Sequence, residues 1–233
     1  MRESALFAAV GFLVLGASDL AVDLLWLGNR AKKIFLYGYL PRLFAGTVAP
    51  PREPGPLAVL IPAWDESAVI TRMLAHTRAA FGEADYRIYV GCYPNDPGTI
   101  TAVQAVADRR IIAVIGPAPG PTSKADCLNR IWGRLREDEA AEGRRFKTVV
   151  LHDAEDVVHS AELRVFSSLI ESYDLVQLPV LPLLDANSRW VGGHYADEFA
   201  EAHGKELVVR EALGAAVPSA GVGCAISRDA LDR

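Results

Sequence analysis

The chain has 233 residues, 51% of them hydrophobic and 23% charged, with a net charge of -5; that is ample apolar material for a sizeable core. The acidic balance argues against a nucleic-acid backbone as partner, because nothing basic is concentrated enough to displace its counterions. Cys92, Cys127 and Cys224 lie far apart with no CxxC or Cys/His spacing, so zinc is not suggested and each reads as a small buried hydrophobe in a reducing compartment.

From Ala5 to Leu27 the residues are nearly all apolar, interrupted by Ser18, Asp19 and Asp23. About 20 such residues in a helix span the hydrocarbon of a bilayer. The two acids share a helix face, and an acid at mid-membrane costs roughly 2.5–3.5 kcal/mol, less toward the interface. Arg30, Lys32 and Lys33 follow, which by the positive-inside rule places everything downstream in the cytoplasm, on the inner membrane of a bacterium. Two other readings stay open: a signal peptide with Arg2 as its basic end and a cleavage point near Leu15-Gly16-Ala17, or an amphipathic helix packed on the protein itself. Residues 1–29 are expected as the transmembrane or hydrophobic helix. Residues 30–56 are expected as an interfacial segment, with aromatics from Ile34 to Phe44 beside Lys33 and Arg42, and then a linker. Pro50, Pro51, Pro54 and Pro56 stiffen that linker and forbid a helix. The main domain is expected over 57–233.

Leu57-Ala58-Val59-Leu60-Ile61 is a continuous apolar run, as in a central strand buried on both faces. Pro62 stops it, and Ala63-Trp64-Asp65-Glu66-Ser67 forms a polar loop before a helix with Val69, Ile70, Met73, Leu74 and Phe81 at helical spacing. Tyr86 to Val90 is a second strand, closed by the turn formers Tyr93-Pro94-Asn95-Asp96-Pro97-Gly98. A helix over Thr99 to Asp108 leads to a third strand, Ile111 to Ile115. A loop from Gly116 to Pro121 follows, then a helix opening at Thr122 or Ser123. Thr148 to Leu151 is the fourth strand, and Leu163, Phe166, Leu169 and Ile170 mark the helix beyond it. Alternating strands and amphipathic helices predict an α/β fold with a mostly parallel sheet flanked by helices.

In such a fold ligand groups collect at the carboxyl ends of the strands. Those loops carry Asp65, Asp96, Lys124 and the acidic cluster His152-Asp153-Ala154-Glu155-Asp156. Paired carboxylates on a rigid strand end suit a hard divalent cation that keeps its waters and takes other ligands from phosphates. A solvated acidic turn capping the next helix accounts for the same residues. Asp65 or Glu66 equally suits a helix cap, and Asp96 an ordinary turn. Lys124 stands in the first turn of a helix, where the macrodipole disfavours a cation, so a facing phosphate explains it better. Neither GxxxxGK[ST] nor GxGxxG after a strand is present, so there is no P-loop and no dinucleotide fingerprint. A cation at Asp153 and Glu155, a nearby lysine and an acid reaching a base or ribose describe a nucleoside-diphosphate site, where metal and lysine neutralise charge on a departing diphosphate.

Ile61-Pro62-Ala63-Trp64-Asp65-Glu66-Ser67, Thr122-Ser123-Lys124-Ala125-Asp126-Cys127-Leu128-Asn129 and Asp153-Ala154-Glu155 resemble family 2 glycosyltransferases of the GT-A (Rossmann-like) fold. The matching patterns are a PAxNE-type first loop, a GKxxALN-type helix start and the DxD metal motif. The resemblance is closer to the membrane-bound phage-adsorption protein B type, through Tyr93-Pro94-Asn95-Asp96-Pro97, Gly120 to Asp126, His152 to Asp156, Val208 to Gly214 and Pro218 to Gly223. It implies an inverting transferase that moves a sugar from a nucleotide-sugar donor, a UDP-sugar, to a glycan or polysaccharide acceptor with Mg²⁺ or Mn²⁺. Carried over by motif, Asp65, Glu66 and Asp96 fall on the donor nucleotide, Lys124 near the diphosphate, and Asp153 and Glu155 on the metal. Asp153 thereby serves the donor too. Glu155 replaces the second Asp of DxD, which lengthens the reach and keeps the charge. Asp156 is either a third metal-side acid or the next helix's cap, the cap being the preferred reading. Gln177, Gly221 and Gly223 match the part of the fold that lines the acceptor side, where glycine lets a sugar approach the backbone.

An inverting transferase needs a general base on the acceptor hydroxyl. In the family it is the Asp of an ED-type motif that follows the acceptor loop, and no such motif after Gly223, nor any QxxRW-like segment, comes before Arg233. Asp197 and Glu198 come too early and read as helix residues. The chain is therefore expected to be C-terminally incomplete, with the base beyond Arg233. Two other classes compete: a non-catalytic membrane docking module working with envelope polysaccharide or phage-adsorption components, and a nucleotidyltransferase, whose glycine-rich nucleotide loop is absent.

Overall fold

The computed structural model describes residues 2–39, 44–183 and 188–233. Helix α1 (Arg2–Tyr37) is followed by β1 (Leu57–Pro62), α2 (Ile70–Phe81), β2 (Tyr86–Cys92), α3 (Pro97–Gln104), β3 (Ile111–Ile115), α4 (Lys124–Glu142), β4 (Thr148–Leu151) and α5 (Glu162–Leu169). The chain then runs through β5 (Leu175–Gln177), α6 (Arg189–Glu201), a π turn (Ala202–Glu206), α7 (Leu207–Ala212) and β6 (Cys224–Ser227). These elements sort into two units, Met1–Arg42 with Pro179–Pro218, and Leu43–Leu178 with Ser219–Arg233. Residues 179–218, expected within the main domain, thus group with the N-terminal helix.

The second unit is built on one six-stranded sheet in the order β3-β2-β1-β4-β6-β5. Strands β3, β2, β1 and β4 are parallel, while β6 runs antiparallel to β4 and to β5. The four expected strands are present and β5 and β6 are additions. Their three and four residues are too short to carry a periodic signal, and tertiary pairing with β4 makes them strands. The β1 side chains alternate between two cores. Leu57, Val59 and Ile61 pack with Ile70, Met73 and Leu74 of α2 and Phe166 of α5. Ala58 and Leu60 pack with Cys127, Ile131 and Leu135 of α4 on the other face. Each such large side chain contributes roughly 1.5–3 kcal/mol by leaving water, so helices cover both faces and β1 tolerates no polar residue. All three cysteines are free and buried, as expected.

The proline segment is pinned to this unit. The amides of Arg52 and Glu53 donate to Glu171 at 3.1 and 2.9 Å, Lys147 Nζ pairs with Glu171 at 2.6 Å, and Arg164 donates to the carbonyls of Val48 and Ala45. Lys147, with the Glu53 and Arg52 amides, holds the Glu171 carboxyl down at about 2.

In the first unit α1 extends to Tyr37, past the expected end at residue 29, because no helix breaker intervenes before Gly38, whose φ is +72°. Leu40 to Leu43, Arg42 among them, lie outside the described residues. Residues 2–21 are all exposed. Val22, Asp23, Trp26, Asn29 and Lys33 are partly covered and recur at helical spacing, which marks the face that packs. Trp26 Nε1 donates to the Gly204 carbonyl at 3.1 Å, in the π turn, and Lys205 Nζ bridges Asp23 at 2.7 Å and Glu201 at 2.5 Å. Asp23, costly if buried in lipid, therefore has a cationic partner on the same unit.

Gly91 on β2 is the point where α4 comes closest to the sheet: a Cβ there meets Cys127 Sγ at 2.4 Å and Ile131 Cδ1 at 2.8 Å. Gly91→Ala is expected to destabilise the protein by about 1–3 kcal/mol through overpacking, read as a lower urea midpoint with unchanged m-value.

Candidate functional site

Parallel pairing brings the carboxyl ends of β1, β2, β3 and β4 to one edge of the sheet. Because β6 is antiparallel to β4, the loop entering β6 reaches the same edge, with Leu151 opposite Cys224. Gln177 ends β5 there too, also opposite Cys224. All expected site residues are consequently at this edge.

Asp96 organises the first two loops. Its Oδ1 accepts from the Thr99 amide at 3.1 Å, capping α3, and its Oδ2 accepts from the Asp65 amide at 2.7 Å. Burial pushes this carboxyl up, but the Thr99 hydroxyl and the two amides outweigh it and hold it below its ordinary value. The Glu66 amide donates to Thr99 Oγ1 at 2.9 Å. Asp65 sits at φ +57°, in the left-handed region that a non-glycine residue enters only when its surroundings hold it. Asp96 thus fixes the backbone that presents Asp65 and Glu66, instead of being an ordinary turn residue. Helix α3 begins at Pro97, two residues earlier than expected, because proline suits the first turn after a capping Asp. Neither Asp65 nor Glu66 caps α2, whose cap position is Val69 without a side-chain bond.

The acidic loop after β4 is folded around His152. This ring is 3% exposed. Its Nδ1 faces Asp156 Oδ2 at 2.8 Å and its Nε2 faces Glu162 Oε1 at 2.6 Å. Burial alone lowers an imidazole pKa, but the two carboxylates raise it to about 9, so His152 is a cation at neutral pH. Asp156 Oδ2 also accepts from the Asp153 amide at 2.9 Å. The expectation that Asp156 caps the next helix fails: α5 starts at Glu162 after an Ala161 cap position, and Asp156 instead closes its own loop onto His152. With Asp156 and His152 tied inward, Asp153 and Glu155 are left facing out, Asp153 half-buried and Glu155 exposed.

Ser123 caps α4 by accepting from the Asp126 amide at 3.1 Å, which sets Lys124 as the first helical residue. Lys124 Nζ lies 2.5 Å from Asp153 Oδ1 and 3.2 Å from the Gly221 carbonyl. On the β6 side, Gln177 Nε2 donates to the carbonyls of Leu178, Val222 and Gly223 at 2.9–3.1 Å, and its Oε1 accepts from the Ala220 amide at 2.9 Å. Gln177 is spent on shaping the loop. Gly221 and Gly223 have φ of +78° and +59°, values that favour glycine.

Between these loops is a cleft of about 380 Å³. Its lining joins the apolar and aromatic Pro62, Ala63, Trp64, Tyr93 and Pro121 with the charged Glu66, Lys124, Asp153 and Glu155. Trp64 meets Tyr93 edge-on at 5.3 Å, Tyr93 Oη bonds Thr122 Oγ1 at 2.8 Å, and the Arg130 guanidinium lies over the Tyr93 ring at 4.6 Å. Burial raises the Glu66 pKa, and Glu155, Asp65, Asp153 and Asp96 raise it further; the acids are close enough to repel one another. Among the described residues no three His, Cys, Asp or Glu side chains gather to hold an ion by themselves. The cleft lining carries a small carboxylate set, Glu66, Asp153 and Glu155. It fits Mg²⁺ or Mn²⁺, which bind through one or two carboxylates plus waters and phosphates, and does not fit an all-protein cage. Sequence reasoning gave no role to His152, Trp64, Tyr93, Thr122 or Arg130. Trp64 and Tyr93, aromatics directly after strand ends, were the available signal.

A sheet of this topology with an acidic loop after β4 and a lysine opening the next-door helix has the GT-A-like arrangement. Residues 54–233 match the family described as "Glycosyltransferase like family 2", and the chain belongs to it. It is 40% identical over 234 residues to "Bacteriophage adsorption protein B" of Escherichia coli (strain K12), and equally to "Bacteriophage N4 adsorption protein B" of Escherichia coli O157:H7. In each case 99% of this chain is covered, and the chain spans only 31% of the relative's length. Among solved structures, the fold is similar to "Mannosyltransferase PcManGT from Pyrobaculum calidifontis in complex with GDP-Man and Mn2+", with a TM-score of 0.56 at 17% identity over 95% of this chain and 56% of that one.

His152→Ala leaves Glu162 buried, and Asp156 beside it, with the central cation gone. The expected loss is about 3–5 kcal/mol of stability, measured by urea unfolding, and adding Glu162→Gln should recover part of it by removing one uncompensated charge.

Proposed function

We propose that the chain is the donor-binding part of a membrane-anchored inverting glycosyltransferase. It takes a nucleotide-sugar, a UDP-sugar, for transfer to a glycan or polysaccharide acceptor at the bacterial inner membrane. The observation that carries the reading is that Lys124, Asp153, Glu155 and Glu66 line the same cleft as Trp64 and Tyr93. Asp153 and Glu155 would hold Mg²⁺ or Mn²⁺, and the bound ion supplies charge neutralisation for a departing diphosphate. Lys124 places a positive charge on the same diphosphate. Trp64 and Tyr93 offer apolar surface to a nucleobase, and the Asp96-held loop presents Asp65 and Glu66 to the nucleoside. Gly221 and Gly223 give the acceptor sugar access to backbone; Gln177 keeps that loop in shape. The Mn²⁺ and GDP-mannose in the name of the structural neighbour accord with this chemistry.

The membrane part of the reading rests on α1. Its bare stretch, residues 2–21, spans about 30 Å at 1.5 Å per residue, the thickness of a hydrocarbon core. Arg30, Lys32 and Lys33 beyond it favour a cytoplasmic exit. A second reading, a docking module in phage adsorption, is favoured by the names of the relatives; it requires no nucleotide in the cleft.

Calorimetry with UDP, and GDP for comparison, separates the two. The expected result is nucleotide binding that needs Mn²⁺, disappears in EDTA and weakens by more than about 100-fold in Asp153→Ala. Metal-dependent affinity retained in folded Asp153→Ala contradicts the site, and absence of binding by either nucleotide contradicts the transferase reading.

A further inference from the structure

Lys124 Nζ touches two loops at once: Asp153 Oδ1 at 2.5 Å on the loop after β4 and the Gly221 carbonyl at 3.2 Å on the loop that enters β6. Neither contact is buried, with 44% of the lysine side chain and 33% of the aspartate side chain exposed. An ion pair that wet holds with little net energy and is easily exchanged. The loop has its own supports, since Gln177 bonds Ala220, Val222 and Gly223 and the Ser219 hydroxyl accepts from the Gly221 amide at 3.1 Å. Lys124 is thus one tie among several on this loop.

A divalent cation and an ammonium cannot share Asp153 Oδ1 at these distances, because like charges so close repel strongly. Metal bound alone at Oδ1 therefore displaces Lys124 from that oxygen. Metal bringing a diphosphate offers the ammonium a new anionic partner, so the displacement is compensated. From this geometry, and resting on the donor-site reading above, we infer that Lys124 is an exchange link. It competes with the metal for Asp153 when no diphosphate is present and moves to the diphosphate when one binds, which releases the Gly221 carbonyl and loosens the 219–223 loop.

The inference makes one substitution act in opposite directions on two ligands. Lys124→Gln, at an exposed position that leaves the fold intact by circular dichroism, is expected to bind Mn²⁺ alone about tenfold tighter than wild type. In saturating Mn²⁺ it should bind UDP about tenfold more weakly. Free Mn²⁺ is read by electron paramagnetic resonance and UDP by calorimetry. Amide exchange of the peptide over 219–223 should rise in wild type on adding Mn²⁺ with UDP, and should be high in Lys124→Gln from the start. Unchanged or weaker Mn²⁺ affinity in Lys124→Gln, or loop exchange indifferent to UDP in a wild type that binds it, overturns the link and spares the donor site. Wild type that binds neither Mn²⁺ nor a nucleotide overturns both.

Discussion

The buried cation His152 is the interaction on which the rest of the site depends. Placing one imidazolium and the carboxylates of Asp156 and Glu162 out of water is expensive, and only close pairing at 2.6–2.8 Å offsets that cost. What the arrangement secures is direction. Asp156 is pulled inward and, through the Asp153 amide, it curls the loop so that Asp153 and Glu155 are presented to the cleft. A loop with three free acids in a row would spread to lower its own repulsion. Here one of the three is neutralised from below and the remaining two are held where a cation from solution can reach them.

Asp96 solves the matching problem on the other side of β1. It is a buried carboxylate that forms no ion pair among the described residues, satisfied by amides and a hydroxyl, which suits an acid whose task is to hold backbone. The left-handed Asp65 is the consequence, and the Asp65-Glu66 corner then faces the acidic loop across the cleft. With the pKa of Glu66 raised by burial and by four neighbouring acids, the charged lining of the cleft carries excess negative charge that Lys124 offsets only in part. Repulsion of this kind is the physical demand that a divalent cation meets.

Much of this was legible in the sequence. The apolar runs gave β1 to β4 within a residue or two, the helical spacing from Ile70 gave α2, and a helix opening at Thr122 or Ser123 put Lys124 in its first turn, where the structure has it. The polar loops at their carboxyl ends converge because parallel topology leaves them nowhere else to go. Three things were not legible. β5 and β6 are strands by virtue of their neighbours, not their composition. Asp156 looked like a helix cap because sequence order cannot reveal that His152, four residues back, is buried and needs a partner, nor that Glu162 supplies the second one. Residues 189–212 fall in the stretch expected as main domain, yet they pack on α1 through Trp26 and Asp23, a pairing across more than half of the chain.

The central claim is that Asp153 and Glu155 together hold one divalent ion that carries a nucleoside diphosphate. The most direct measurement is anomalous diffraction at the manganese edge from crystals grown with MnCl₂ and UDP. The account predicts one strong peak at about 2.0–2.2 Å from carboxylate oxygens of Asp153 and Glu155, with UDP phosphates on its far side and the base against Trp64 and Tyr93. A peak elsewhere, or UDP bound in the cleft with no metal at these two residues, contradicts it.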